Sequence, residues 1–339
     1  MRYKIAIIGG GLAGCAAAWC LSRQGHHVTI FEKGTEIASG ASGNERGMIN
    51  PRFYKFFNKE ASFYAAGFKA VLKAAEELSQ THSLDFEQCG ALHLITDETK
   101  KDRYSEMIKN WGWPEEEMRI VSSEKASEIA GTDIPAEALY LATSAQISPK
   151  KLCIAYSEQA DIRLNTAIES IEPISDGGWY LDGERFDKAI LANAYHIPQL
   201  MPEVELQTVR GQMALAKATS CSKTMKCNIH YGGYISAPMN GYHGVGASFQ
   251  PWSKDVDVKK DDNRYILNKL AEFLPHISES IELEQERASL RTTNKHKFPE
   301  FGEVKPGLYV STAHGSHGLV TSLQAAIEIA KFITTSAKA

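Results

Sequence analysis

The glycine turn Gly9-Gly10-Gly11-Leu12-Ala13-Gly14 and the carboxylate Glu32 are the residues whose types and spacing dictate a chemistry most directly. Gly9 permits a tight turn, Gly11 lets backbone approach a pyrophosphate, and Gly14 lets a helix pack against a strand. The helix that starts at Leu12 and Ala13 offers free N–H groups and the positive end of its dipole to phosphate. Glu32 is placed to accept hydrogen bonds from the ribose hydroxyls of an adenosine and to repel a 2′-phosphate. The predicted ligand is a dinucleotide with an ADP half.

The flanking elements give the glycines their meaning. The apolar run Ile5-Ala6-Ile7-Ile8 predicts a buried strand, Leu12, Cys15, Ala16 and Trp19 recur at helical spacing, and Val28-Thr29-Ile30-Phe31 predicts a second strand that ends at Glu32. A secretion signal is the rival reading, because Arg2 and Lys4 precede an apolar stretch and Leu12-Ala13-Gly14-Cys15 imitates a lipoprotein cleavage box. Cleavage there would remove the phosphate turn and leave Glu32 without a partner.

After Lys33 comes a small-residue loop from Ala38 to Gly47, containing Ala41, Ser42 and Asn44, that leads into Met48. So much glycine and serine lets backbone lie close to a flat ligand; the alternative is a flexible surface linker. A helix near 60–80 follows, with Tyr64, Phe68, Val71, Leu72, Ala75 and Leu78 on one stripe. Further on, the pattern predicts a strand at 91–96, helices near 99–110 and 123–130, and a helix capped by Ser148 with Pro149 at its first position. Strands follow at 162–165, 179–181 and 189–192, and a mixed block from Val209 carries short strands at 212–216, 234–237 and 244–247 with a helix near 262–273. The chain then returns to its opening style, with a strand at 308–311, the turn Gly315-Ser316-His317-Gly318 and a helix beginning at Leu319.

This order predicts an α/β fold, α+β overall, in which a Rossmann-like nucleotide domain is discontinuous and an antiparallel-sheet substrate domain is inserted into it. The expected division is 1–85, 140–207 and 290–339 for the nucleotide domain and 86–139 and 208–289 for the substrate domain. No second strand-glycine-helix fingerprint follows, so electrons are expected from the substrate rather than from a nicotinamide nucleotide.

Bulk properties narrow the class. The chain has 339 residues, of which 43% are hydrophobic and 23% charged, enough for roughly two domains. No apolar run is long enough for a membrane span. The six cysteines form no C-x-x-C pair, which fits reduced thiols and a cytoplasmic setting. A net charge of −4 carries no global mark of nucleic-acid binding, so any such partner must use a local patch.

Taken together, these residues resemble the FAD-dependent amine oxidoreductases of the D-amino-acid oxidase superfamily. Within it they resemble the FAD domain of bacterial enzymes that modify the wobble uridine of tRNA. The resemblance runs through Gly40-Ala41-Ser42-Gly43-Asn44 with Gly47, Leu191 to Ile197, Val209-Arg210-Gly211-Gln212, Gly233-Tyr234-Ile235, Gly246-Ala247-Ser248, Arg291 with Pro299, and Gly315 to Leu319. It implies non-covalent FAD held by Gly9, Gly11, Leu12, Ala13, Gly14, Glu32, Lys33, Ala41, Ser42, Asn44, Gly47, Met48, Gly315, Ser316, His317, Gly318 and Leu319.

The activity so implied is oxidative removal of the carboxymethyl group of carboxymethylaminomethyl-uridine. Hydride passes from an N-substituted glycine to flavin N5, and hydrolysis of the imine leaves aminomethyl-uridine and glyoxylate. Arg291 is then the candidate grip on the substrate carboxylate, since a guanidinium can hold both oxygens, and Tyr234 lines the pocket. The helix start after Gly318 would stabilise negative charge on the reduced flavin. In the family's two-part enzymes a methyltransferase completes the modification; this chain opens on the FAD fingerprint, so methylation is expected either to need a separate methyltransferase as partner or not to occur.

Four positions depart from the family pattern: Ala194 stands where glycine is usual, Asn294 and His296 replace threonine and aspartate, and His317 replaces arginine. Two rival functions stay open, oxidation of a small amine such as glycine, sarcosine or a D-amino acid, and a flavin-binding protein without catalysis. For tRNA, Arg52, Lys55, Lys217, Lys223, Lys226, Lys295 and Lys297 are candidate phosphate contacts, and Trp111 and Trp113 candidate stacking surfaces. A metal at His314 and His317 is not expected, as no third ligand is apparent.

Overall fold

Alternating side chains build the first sheet. Along Lys4–Ile8, Ile5 and Ile7 face one core while Ala6 and Ile8 face another, and Ile30 against Phe31 and Tyr309 against Val310 repeat the division. A strand covered on both faces must be apolar throughout, which is why these segments read as continuous hydrophobic runs. The computed structural model describes residues 2–336.

The first sheet has six strands in the order Glu300–Lys305, Leu308–Thr312, Lys188–Leu191, Lys4–Ile8, His27–Phe31, Asp161–Arg163. Its neighbours are parallel except for the antiparallel first pair. One face packs on the helices Leu12–Arg23, Lys59–Leu78 and Gly318–Ser336, and the other on a small antiparallel sheet formed by Ile171–Pro173, Trp179–Leu181 and Glu184–Phe186. Ile5, Ile7 and Ile30 are fully buried, so truncating any of them to alanine should cost about 2–5 kcal/mol.

The second sheet has eight strands in the order Leu283–Thr293, Gln207–Lys217, Tyr242–Gly246, Tyr234–Ile235, Asn228–His230, Ala91–Leu94, Ala138–Leu141, Met118–Val121. Leu92, Leu94, Ile229 and Ile235 point into a core closed by the helices Ser123–Ala130, Lys260–Ala271 and Pro275–Ser278. Period two then sends His93, His230 and Tyr234 to the opposite face. That face looks into the large cavity described below.

Two chain segments differ from the sequence reading. The short strand expected at 212–216 is the second half of an eleven-residue strand, Gln207–Lys217, and its equally long partner Leu283–Thr293 is not predicted by the sequence pattern. The partner is a sheet edge whose Glu284, Gln285, Glu286 and Arg287 give no apolar alternation. Chain segments alternate between the two sheets, and Ala138–Leu141 and Leu283–Thr293, which the expected boundaries at 140 and 290 would divide, lie wholly in the second sheet. No helix among the described residues is long and apolar enough to cross a membrane. The six cysteines are all unpaired.

Candidate active site

A single cavity of about 1100 Å³ runs between the two sheets. The helices Leu12–Arg23 and Gly318–Ser336 pack along one another, and both begin at its wall. Gly9, Gly11, Leu12, Ala13, Glu32, Lys33, Ala41, Ser42, Asn44, Gly47, Met48, Gly315, Ser316, His317, Gly318 and Leu319 all line it, as do Arg291 and Tyr234. Residues up to three hundred positions apart in sequence thus meet in one space.

Gly14 is the exception among the expected cofactor residues. It does not line the cavity; a Cβ there would fall 1.9 Å from the Gly9 carbonyl oxygen, so its absence lets the helix seat on the strand. Gly9 itself has φ +110°, and a side chain on it would meet the Ala192 backbone at 2.6 Å.

Glu32 is engaged within the protein itself. Its Oε2 accepts from Gly10 N at 2.7 Å, and its Oε1 accepts from Gly34 N at 2.7 Å and from Ser39 Oγ at 3.0 Å. The carboxylate therefore ties the phosphate turn to the loop that follows the second strand. Ser42 makes the next tie, its Oγ accepting from Leu12 N at 2.9 Å at the start of the helix. These are local polar bonds that no hydropathy pattern announces.

Arg291 and Tyr234 rest on two side-chain-free floors. A Cβ on Gly211 would fall 2.5 Å from Arg291 Nη2, and one on Gly246 would fall 2.9 Å from the Tyr234 hydroxyl. Both large side chains therefore lie across a neighbouring strand. Burial pushes the Arg291 guanidinium below its ordinary value, opposed by Tyr234, and pushes the Tyr234 phenol up, opposed by Arg291. Among the described residues Arg291 has no carboxylate within ion-pair distance, so its bonding capacity is open to a ligand.

His93 and His230 were not anticipated. Their rings stack at 4.3 Å with 5° between planes, held side by side by the pairing of Ala91–Leu94 with Asn228–His230. Asn50 Nδ2 donates to His230 Nε2 at 2.9 Å, and Asn50 Oδ1 in turn accepts from Ser144 Oγ at 2.6 Å. His230 thus carries its proton on Nδ1 in this network. Burial first, then Lys100 and His317, lower its pKa to about 4, and His93 is pushed well down by burial and by His230. His317 falls to about 4 through burial, Arg52 and Arg291. His314 is satisfied internally by Ser311 Oγ at 3.2 Å and Thr321 Oγ1 at 3.0 Å. Among the described residues no three His, Cys, Asp or Glu side chains are grouped to hold a metal ion.

Charge along the cavity is one-sided. Lys33, Arg46, Arg52, Lys100, Arg103 and Arg291 line it, and Glu32 at the nucleotide end is the only carboxylate among the described lining residues. Of the lysines and arginines expected at the mouth, only Arg52 lies there, donating through Nη1 to the Lys297 carbonyl at 2.7 Å. Lys55 pairs with Glu106 and Lys295 with Glu205, while Lys217, Lys223, Lys226 and Lys297 do not line the cavity. Lys100 and Arg103, from the helix Glu98–Trp111, take their place. Neither expected tryptophan is a stacking surface: Trp111 is buried, with Nε1 donating to the Tyr54 carbonyl at 2.9 Å, and Trp113 stacks on Phe68.

A glycine cradle, two helix starts and a buried carboxylate at one end, with an unpaired arginine at the other, define a dinucleotide-dependent oxidoreductase. The family described as FAD dependent oxidoreductase, DAO, matches residues 4–332, and the chain belongs to it. Its cofactor is FAD. At the end of the loop 40–47 the backbone packs closely on its neighbours: a Cβ on Gly47 would fall 2.7 Å from Pro149 and 2.8 Å from Leu319.

Among curated proteins, the chain is 29% identical over 93% of its length to the tRNA 5-methylaminomethyl-2-thiouridine biosynthesis bifunctional protein MnmC of Nitrosospira multiformis. It is 27% identical over 95% of its length to the protein of the same name from Idiomarina loihiensis. It spans about half of each, 54% in both cases. Among solved structures, glycine oxidase from Bacillus cereus superposes with a TM-score of 0.86 at 22% identity, covering 99% of this chain and 96% of that one. L-α-glycerophosphate oxidase from Mycoplasma pneumoniae, solved with FAD bound, gives 0.81 at 18% identity over 98% and 95%. At these identities the structures establish a shared fold.

Proposed function

We propose that this chain oxidises the carboxymethylaminomethyl group of a tRNA wobble uridine, a CH–NH substrate, to aminomethyl-uridine and glyoxylate in the cytoplasm. The observation that carries the reading is a cavity joining the nucleotide cradle to an unpaired Arg291 and a wall of cations, its one carboxylate kept at the far end. The names of the curated relatives support the tRNA substrate. A separate methyltransferase would act on the product amine.

Gly9 to Ala13, Glu32, Ser42, Gly47 and the helix start at Gly318 would hold FAD, which when bound accepts the hydride from the carbon beside the amine. Arg291 would hold the substrate carboxylate by two charge-assisted bonds and so fix that carbon. Tyr234 would close the pocket beside it. The reactive amine must be neutral, and the surrounding cations favour that form because like charge disfavours an ammonium. His230 and His317, held neutral by burial, add no charge beside the substrate at working pH.

A small-amine oxidase would share the cradle and Arg291 but has no use for Arg52, Lys100 and Arg103 at the mouth. Anaerobic mixing separates the two. Bleaching of the flavin by tRNA bearing carboxymethylaminomethyl-uridine, with release of glyoxylate, is the expected result; bleaching by sarcosine or D-alanine and not by that tRNA overturns the reading.

A further inference from the structure

With Trp111 packed away, the most exposed aromatic side chain that lines the cavity, among the described residues, is Phe249. Phe249 is 61% exposed and lines the cavity itself, and Trp252, three residues on, is 79% exposed, the highest value for a large apolar side chain here. Both lie in the loop that leaves the strand Tyr242–Gly246, and Val256 and Val258 in the same loop are about half exposed.

The loop is pinned rather than loose. Arg210, fully buried, exchanges backbone bonds with Gln250 at 3.1 and 2.9 Å and donates through Nη1 to Gln250 Oε1 at 3.1 Å. It also donates to the Asp257 carbonyl and forms a buried ion pair with Asp262, whose Oδ1 accepts from Gln250 Nε2 at 2.7 Å. Both sides of the turn at Pro251 and Trp252 are therefore anchored on one guanidinium. An indole held out in water on an anchored loop is pre-organised for a flat apolar partner.

We infer that Phe249 and Trp252 form a stacking platform for an unpaired nucleobase next to the modified uridine. The inference rests on the tRNA reading above. Two observations favour RNA over a protein partner: Phe249 belongs to the substrate cavity, so the platform continues the candidate site, and the cavity carries Arg52, Lys100 and Arg103 for the phosphates that accompany a base. Single-stranded loops are recognised by this combination of aromatic faces and cations.

The test compares two substrates of the flavin-loaded enzyme, an anticodon stem-loop bearing carboxymethylaminomethyl-uridine and the same modified nucleoside alone. Trp252→Ala should raise KM for the stem-loop about tenfold and leave kcat and the nucleoside kinetics unchanged. Trp252→Phe should restore most of the loss. With 2-aminopurine beside the uridine, binding should quench its fluorescence in the wild type and less so in Trp252→Ala. Equal stem-loop KM for wild type and Trp252→Ala overturns the platform, including the case in which the variant instead loses a bound methyltransferase. An equal rise in nucleoside KM overturns it too, by marking Trp252 as structural. Failure of wild-type enzyme to be reduced by either substrate overturns the tRNA reading, and the platform with it.

Discussion

The guanidinium of Arg291 lies over the backbone of Gly211, at a height that leaves no room for a methyl group: an added Cβ would stand 2.5 Å from Nη2. Val209 and Arg291 are direct partners in the pairing of Gln207–Lys217 with Leu283–Thr293, so the arginine reaches diagonally across the neighbouring strand. The Arg210-Gly211-Gln212 segment thus serves two purposes, anchoring a loop through Arg210 and flooring Arg291 through Gly211.

Gly211→Ala should displace the guanidinium and weaken a bidentate grip. A charge-assisted bond contributes roughly 1.5–3 kcal/mol, so KM for the carboxylate substrate should rise about tenfold or more with FAD content unchanged. Anaerobic reduction titrations with matched flavin loading provide the measurement, and an unaltered KM would remove Arg291 from the substrate side.

Glu32→Ala should damage the protein before any ribose is considered. It leaves the N–H groups of Gly10 and Gly34 without their acceptor, at a cost of about 1–3 kcal/mol for a buried unsatisfied donor. The apo-protein should melt at lower temperature and the flavin-to-protein ratio should fall. Loss of flavin with an unchanged apo Tm would assign Glu32 to the ribose alone.

Acid should destabilise the fold. His230, His314 and His317 have pKa values lowered to about 4, chiefly by burial, whereas the unfolded chain protonates these groups near 6.5. Between those values the unfolded state binds more protons, so stability falls as pH drops below about 6.5 and levels off near 4. Denaturant midpoints at pH 7.5, 6.0 and 5.0 should decrease in that order; a flat profile would contradict the burial of these imidazoles.

Ala194→Gly should stabilise. Ala194 has φ +54°, a left-handed backbone that alanine adopts at a cost, so the departure from the usual glycine acts through backbone strain. A gain of roughly 0.5–1 kcal/mol is expected after the greater chain entropy of glycine is counted, visible as a Tm increase of a degree or two. A lower Tm would count against the strain.

The nucleotide end was legible because its chemistry is local. Ile5 to Gly14, Glu32 and the Ser148-Pro149 helix start, where Ser148 Oγ accepts from Lys151 N at 3.3 Å, each carry their meaning within a few residues. The opposite wall was not. His93 and His230 become neighbours only when Ala91–Leu94 pairs with Asn228–His230, and nothing in either segment alone marks a stacked imidazole pair. Lys100 and Arg103 belong to a polar helix whose sequence does not mark which face meets the cavity. Trp111 and Trp113 stay ambiguous in sequence, because an aromatic pair beside glycine and proline suits a stacking surface as well as a core; the fold packs them. Trp252 had a usable signal, an indole after proline in a polar stretch without apolar periodicity.

The order of the first sheet bears on how the protein is made. Lys4–Ile8 finds His27–Phe31 at once, but its other neighbour is Lys188–Leu191, which in turn awaits Leu308–Thr312. The cavity wall at Gly315 to Leu319 leaves the ribosome later still. During synthesis the glycine turn therefore exists long before the opposing wall can close over a flavin. Cofactor capture is in consequence a late event, and until then the half-built sheet must keep its open edge from pairing with other nascent chains.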